Sequence, residues 1–522
     1  MITTSLHEHH ISLAAGERGM IVIVGAGTVG LHLAVLLERK GYRVVVIESG
    51  NAALGSFASE TCRMAGRPYS GAKTGRSRCI GGTSNLWGGQ LVSFQPIDFT
   101  ERPWVRSPAW PITYTEIAPY FSETYKQLGV PPDSLSDEAV WKSHLGATPQ
   151  FSDEVEIFLT RWMKTPSMSV MHAEAVYSNP RLVVLASHSV VGFLANGARL
   201  TGVVVRDSSN KRKEISCETI VIAAGTIETV RLLLAAQSDR SWSCPWQANR
   251  MLGMRFQDHL GGRIGAMTPL DKQRLFRVFS TLYSNGQKFQ PKLRVTEEAC
   301  VAGHLLGAQG IVCFESSATE HLVYLKQFLK AAIYSRRMSG IGDFIRHATA
   351  CARHLPPLMW TYLKEHRVFV PFDSRVVLNV QAEQSPNDSS RITIDPSRRD
   401  AYGLPQAIID WQLTGEELPT ILDLAQRCGR ALEAAGLATL AIEPDLLTLK
   451  PSFLDTLHDT YHAAGGAIMG LDEAHGVVDR DLRVFGTTNL YLASAATFPT
   501  SSSANVTFTA LAFATRLADH LQ

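Results

Sequence analysis

The chain has 522 residues, a formal charge of +2, 45% hydrophobic and 19% charged residues, enough for two ordinary domains or one large interleaved unit around a sizeable core. So small a charge removes the electrostatic case for a nucleic-acid partner, and the lack of an eighteen-residue apolar run argues against a membrane span. Eight cysteines are scattered without any CxxC spacing, which argues against a zinc or iron–sulfur site and fits reduced thiols in a cytoplasmic protein.

The N-terminal MITTSLHEHHISLAAGERG has no basic region followed by an apolar block, so it does not read as a secretory signal. Its HEHH tract reads as part of a polar leader rather than as a metal site. Residues 20–24, MIVIV, are an apolar run of the kind that forms a buried parallel strand. Gly25-Ala26-Gly27-Thr28-Val29-Gly30 follows, then LHLAVLLERKG with helical spacing and a stop at Gly41. A second apolar strand, RVVVIESG, carries Glu48 at its end, eighteen residues past Gly30. Strand, glycine turn, helix, strand and acid together form the unit that grips the ADP half of a dinucleotide. Gly25 permits the tight turn, Gly27 lets backbone approach pyrophosphate, and Gly30 lets the helix lie close to the strand. The helix N-terminus offers N–H groups to phosphate, and Glu48 is placed to accept from ribose hydroxyls. The unit by itself leaves NAD and FAD both open.

At Cys79 the chain reads CIGGTSNLWGGQ, a loop rich in backbone and hydroxyl donors. Residues 96–180 mix aromatic residues with prolines, and RLVVLASHSVVGFLANGARLTGVVVRDSSNKRKEISC reads as successive β segments joined by polar turns. Residues 218–236, ETIVIAAGTIETVRLLLAA, give another strand, a small-residue turn at Ala223-Ala224-Gly225 and an amphipathic helix. In 319–367, Leu322, Leu325 and Leu329 share a helical face, Arg336 and Arg337 follow, and eight basic residues meet three acidic ones. The plain reading is an amphipathic helical part of a substrate domain with a solvated basic face; the sharper ones are a lid, a docking face or a membrane-surface contact. Strands are expected at 376–382 and 391–395, a turn at EQSPNDSS, and a helix at GEELPTILDLAQRCGRALEAAG. The C-terminal block holds HAAGGAIMG, beginning at His462, and SSSANVTFT, which carries Asn505.

The expected fold class is α/β: a Rossmann-like nucleotide domain assembled from residues 18–95, 181–265 and 446–522, with an inserted α+β substrate domain from 96–180 and 266–445.

Taken in order, VGAGTVG with Glu48, CIGGTSNLWGG, IAAGTIETVRLLL, LGMRFQDHL around Asp258-His259, and the C-terminal block make a set that resembles the glucose–methanol–choline (GMC) oxidoreductases. QAEQSPNDSSRITID and GLPQAIIDW look like the branch of pyranose oxidases and bacterial sugar dehydrogenases. The resemblance implies a FAD enzyme that oxidises alcohols. Its flavin contacts would come from Gly25, Ala26, Gly27, Thr28, Val29, Gly30, Glu48, Gly81, Gly82, Thr83, Asn85, Leu86, Trp87, Gly88, Val191, Ala224, Gly225, Ser494, Ala495 and Thr507. In pyranose oxidases a histidine of the loop around Trp87 bonds covalently to the flavin. Leu86 stands there, so non-covalent FAD is expected. Ser494 replaces an aspartate found in many members, and Val506 replaces a common proline.

The resemblance also matches His462 to the family's active-site histidine and Asn505 to its partner. A histidine suits the base that takes the hydroxyl proton, because its unperturbed pKa of about 6.5 lies near operating pH. Asn505 would hold the substrate hydroxyl without competing for the proton. Ala463, Ala464, Gly465 and Gly466 leave room beside the flavin. His259 reads as structural, His458 and His475 as loop residues, and Asp479 as a turn brace. The implied substrate is a small alcohol, foremost a secondary hydroxyl of a sugar or glycoside that becomes a ketone. A non-sugar alcohol (sterol, choline-like or aryl) and a non-redox flavoprotein lyase are the alternatives. Oxygen, a quinone and a carrier protein all stay open as electron acceptor.

Overall fold

The computed structural model describes residues 1–5, 17–51, 61–106, 109–131, 136–316, 321, 324–325, 328 and 341–521. The HEHH tract, Leu322, Leu329, Arg336 and Arg337 lie outside the described residues.

Met20–Val24 is buried at all five positions, and Arg43–Glu48 at all six. Such strands need cover on both faces, which places them inside a parallel sheet. They sit side by side at the centre of six strands, in the order Ile2–Thr3, Leu182–Ala186, Arg43–Glu48, Met20–Val24, Thr219–Ile222, Leu490–Leu492. Every pairing in this sheet is parallel. The helix Thr28–Arg39 leads from the first glycine turn and Thr226–Ser238 from the second. The C-terminal helix Val506–His520 packs on Thr28–Arg39 and on Tyr114–Gln127, with His32 Nε2 3.0 Å from Thr515 Oγ1. The β segments expected downstream of residue 181 form an antiparallel meander of His188–Asn196, Arg199–Asp207 and Arg212–Ser216.

A second, antiparallel sheet runs Ala438–Ile442, Leu260–Pro269, Arg375–Ala382, Ala308–Glu315, Gln287–Val295, Val155–Trp162, Gln90–Leu91. Side chains alternate across it with period two. A Cβ at Gly310 would meet Leu378, Leu293 and Cys428 Sγ, so that face lies against the helix Glu417–Ala434, which buries Leu418, Ile421, Leu424 and Cys428. The opposite face carries Lys292, Gln309, Asn379 and Gln381, with Gln309 and Gln381 paired directly across adjacent strands. A third sheet joins Arg391–Arg399, Pro405–Asp410 and Cys62–Met64. The strands expected at 376–382 and 391–395 are present as Arg375–Ala382 and Arg391–Arg399. Within 319–367 the described residues include the helices Ile341–Cys351 and Leu355–Glu365. No described helix is long and apolar enough to cross a membrane.

Candidate active site

A cleft open to solvent runs along the ends of the central parallel strands. Crevices at that edge of an open parallel sheet are where nucleotides bind. Gly25, Gly27, Thr28, Val29, Glu48, Gly82, Thr83, Ala224, Gly225, Ser494, Ala495 and Thr507 all line it. A Cβ on Gly27 or Gly225 would meet nothing within 4 Å, so both present bare backbone to open space. A Cβ on Gly30 would fall 2.0 Å from the Gly25 carbonyl oxygen, which is why the helix lies so close to its strand. Glu48 is buried, and its two oxygens accept from the backbone N–H of Ala26 (2.9 Å) and Gly50 (2.7 Å). Burial raises its carboxyl above the usual range, and those two bonds pull the other way. An extended floor of bare backbone, two helix N-termini and an acid at one end fit an ADP-bearing cofactor.

Other expected flavin residues shape the cleft without lining it. Ala26 is buried beneath the glycine turn. Gly81 has φ 93 and starts the short turn Gly82–Asn85. The Asn85 side chain ties that turn together, Nδ2 donating to Ile80 O (3.0 Å) and Oδ1 accepting from Ser167 Oγ (2.6 Å). Trp87 Nε1 donates to Pro166 O at 2.8 Å, a Cβ on Gly88 would strike Trp162, and Leu86 points outward with 39% exposure. Val191 falls at a bulge between Val190 and Gly192, and it is Val190 that faces the cleft.

At the other end, Tyr461 and Ala463 line the cleft on either side of half-buried His462, and Thr226 Oγ1 donates to Ala463 O at 2.7 Å. Asp258 is the fixed point of this loop. Its Oδ1 accepts from the backbone N–H of His259 (2.7 Å), Thr460 (3.2 Å) and His462 (3.0 Å), and its Oδ2 from Tyr69 OH (2.7 Å). Burial lifts the Asp258 carboxyl to about 7, the Tyr69 bond opposing it.

The imidazoles of His259 and His462 meet, Nδ1 to Nδ1 at 3.1 Å. His259 Nε2 lies 3.0 Å from the Ser501 carbonyl oxygen, which only accepts. Burial holds His259 down to about 4, so it is neutral near pH 7 with its proton on Nε2 and a lone pair on Nδ1. His462 Nδ1 must then carry the proton of the shared bond. Thr460 Oγ1, 2.8 Å away, is a second acceptor for that proton, its own hydroxyl donating to Asp258 Oδ1 at 3.4 Å. Nε2 of His462 is left with its lone pair and no hydrogen bond among the described residues. Burial, then His259, then Lys292 push the His462 pKa well below its usual value.

Asn505 precedes the helix Val506–His520 yet makes no side-chain cap bond. Gln381 Nε2 donates to its Oδ1 at 3.4 Å and to Ser503 O at 2.6 Å, and Asn505 Nδ2 has no acceptor among the described residues. An asparagine that forgoes capping is an energetic oddity, since that bond is worth about 1 kcal/mol. No single stretch of sequence signals Gln381, Gln309 or Lys292, and the pairing of His259 with His462 joins residues 203 positions apart. Arg76, also unforeseen, lines the cleft and donates to Glu228 Oε1 at 2.8 Å. Burial alone would raise the Glu228 carboxyl, but Arg231 and Arg76 hold it at about 2.

Residues 386–514 match the family described as GMC oxidoreductase, and residues 23–72 match an NAD(P)-binding Rossmann-like domain. The fructose dehydrogenase large subunit of Gluconobacter japonicus is 24% identical over 62% of this chain, and the match spans about half (50%) of that protein. The 2-methyl-1,2-propanediol dehydrogenase of Mycolicibacterium austroafricanum is 20% identical, covering 96% of this chain and 94% of that one. Among solved structures, pyridoxine 4-oxidase from Mesorbium loti has a TM-score of 0.57 at 17% identity, covering 96% of this chain and 98% of its own. Formate oxidase from Aspergillus oryzae RIB40 has a TM-score of 0.55 at 14% identity, covering 97% and 98%. Fold and cleft thus define a FAD-binding protein, similar in sequence to dehydrogenases of alcohol-type substrates. The likeness to the GMC oxidoreductases rests on residues 386–514.

Proposed function

We propose that this enzyme oxidises a secondary hydroxyl of a sugar or glycoside to a ketone, with His462 as the base and FAD bound non-covalently. The observation that carries the reading is the hydrogen-bond chain from the Ser501 carbonyl through His259 to His462, which leaves Nε2 of His462 unprotonated. A neutral imidazole with a fixed tautomer is ready to accept the substrate's hydroxyl proton. Asn505 Nδ2 donates to the same hydroxyl oxygen, and Gln381 holds the amide in that sense. Thr460 and Asp258 keep the histidine loop in register. Bound FAD supplies the hydride acceptor. Leu86 presents no atom able to bond to a flavin, which supports non-covalent attachment.

The likeness to a fructose dehydrogenase subunit supports a sugar substrate, whereas the near full-length likeness to a diol dehydrogenase favours a small non-sugar alcohol. Anaerobic mixing of the yellow holoenzyme with sugars, glycosides and short diols separates the two by which class bleaches the flavin. His462→Ala is expected to keep bound flavin and slow its reduction by about 100-fold or more. Reduction as fast as in the parent would remove His462 from the base role.

A further inference from the structure

Lys292 is 2% exposed and stands on the polar face of the large antiparallel sheet. Its Nζ donates to Gln309 Oε1 at 3.1 Å, and no carboxylate among the described residues lies within ion-pair distance of it. An ammonium has three N–H groups, so two are left over. Taking such a cation out of water without a counter-charge is strongly unfavourable, and buried cations are normally paired. Burial lowers the Lys292 pKa only to about 8, which leaves the group largely charged near neutral pH. Its charge is felt by both His259 and His462.

The place of this cation in the sheet is informative. Gln309 is paired across the ladder with Gln381, and Gln381 holds Asn505. Lys292 lies two residues along its strand from Arg294, the direct partner of Gln309, and reaches diagonally to Gln309, so Lys292, Gln309 and Gln381 form a polar path across three strands that ends at the candidate catalytic pair. With strands about 4.8 Å apart, the strand of Lys292 lies roughly 10 Å from that of Gln381, and the lysine side chain reaches back over part of that span to Gln309. The remaining distance is that of a short polyol chain.

Resting on the alcohol-oxidation reading above, we propose that Lys292 and Gln309 form an anion subsite, so that the preferred substrate is an alcohol carrying a carboxylate or phosphate a few carbons from the oxidised hydroxyl. The anionic oxygens take the two remaining Lys292 N–H groups, Gln309 keeps the ammonium on the path, and the hydroxyl is delivered to His462 and Asn505. A neutral sugar of the same length leaves the cation unpaired and binds more weakly.

The test titrates oxidised holoenzyme with D-gluconate, D-glucose 6-phosphate and neutral D-glucose, following the flavin difference spectrum and, anaerobically, flavin reduction. At least one anion is expected to bind at least tenfold more tightly than glucose. The arm that does so tells carboxylate from phosphate. In Lys292→Met that advantage should fall to within about twofold. Should Lys292→Met fail to retain FAD, Gln309→Leu is read the same way, with the advantage reduced at least threefold. Equal binding of all three probes, no binding of either anion, or a preference that survives both substitutions overturns the subsite. Reduction by glucose with no anion preference sinks the subsite and leaves the alcohol oxidation standing. Anion binding lost in Lys292→Met, with no alcohol of any class reducing the flavin, does the reverse.

Discussion

At the scale of single residues, the contact between the two histidines decides the chemistry that His462 is able to do. His259 acts through His462, so it is a positioning residue, and a pH profile tests it. After burial, His259 is the second cause of the depressed His462 pKa, because two protonated imidazoles with their Nδ1 atoms 3.1 Å apart would repel each other. Removing it in His259→Leu takes away a neighbour that disfavours protonation, so the His462 pKa rises. A base works only when unprotonated, so the acid limb of flavin reduction moves to higher pH, and loss of the Nδ1 contact slows the plateau by about tenfold or more. Stopped-flow reduction between pH 5 and 9 measures both, and a slower plateau with an unmoved limb would leave His259 a merely structural part. Glu48 and the glycines were legible in the sequence because each sits in a local pattern whose spacing has a physical reason, whereas His462 was singled out only by the family resemblance. His259 was read there only as structural, because its partner is 203 positions away.

At the scale of elements, the first glycine turn separates two roles that the motif alone runs together. Gly30 packs helix on strand, whereas Gly27 faces open cleft. Gly30→Ala puts a methyl group against backbone that has no room to yield, and such overpacking typically destabilises by about 1–3 kcal/mol. Gly27 has φ −81, so Gly27→Ala needs no unusual backbone and its methyl projects where a pyrophosphate would lie. The expected outcome is a division: Gly30→Ala lowers the urea midpoint of the apoprotein, while Gly27→Ala leaves it in place and weakens FAD binding at least tenfold. Apoprotein melts and flavin titrations of the two variants check it, and identical behaviour would refute the distinction. The elements themselves were readable where one period dominates, as in MIVIV or the helix Glu417–Ala434. The strand Gln287–Val295 was not foreseen, since QKFQPKLRV mixes a proline and charges into a weak alternation, and its place is settled by neighbours on both edges.

At the scale of the whole molecule, the cleft is bounded by pieces from both ends of the chain, and a ligand that spans them stabilises the assembly they form. FAD at 100 times its dissociation constant adds about 2.7 kcal/mol to the folded state. The apoprotein is therefore expected to melt at a lower temperature than the holoenzyme, by scanning calorimetry, with the difference growing as FAD is added. Acid or heat denaturation should release all of the flavin into the supernatant, whereas yellow colour retained in the precipitated chain would contradict non-covalent attachment.

The sequence by itself determined the nucleotide unit, because it rests on short runs whose glycines, acid and periodicity act over a few residues, whereas the flavin class and the alcohol chemistry came only with the resemblance of the whole motif set. Only the tertiary structure decided which nitrogen of His462 lacks a hydrogen bond among the described residues, what holds the Asn505 amide, and where the buried Lys292 stands. Each of these depends on what lies across a strand or a loop, from 17 to 203 positions away, and hydrogen-bond direction and burial of charge come into being only when the sheets have closed around them.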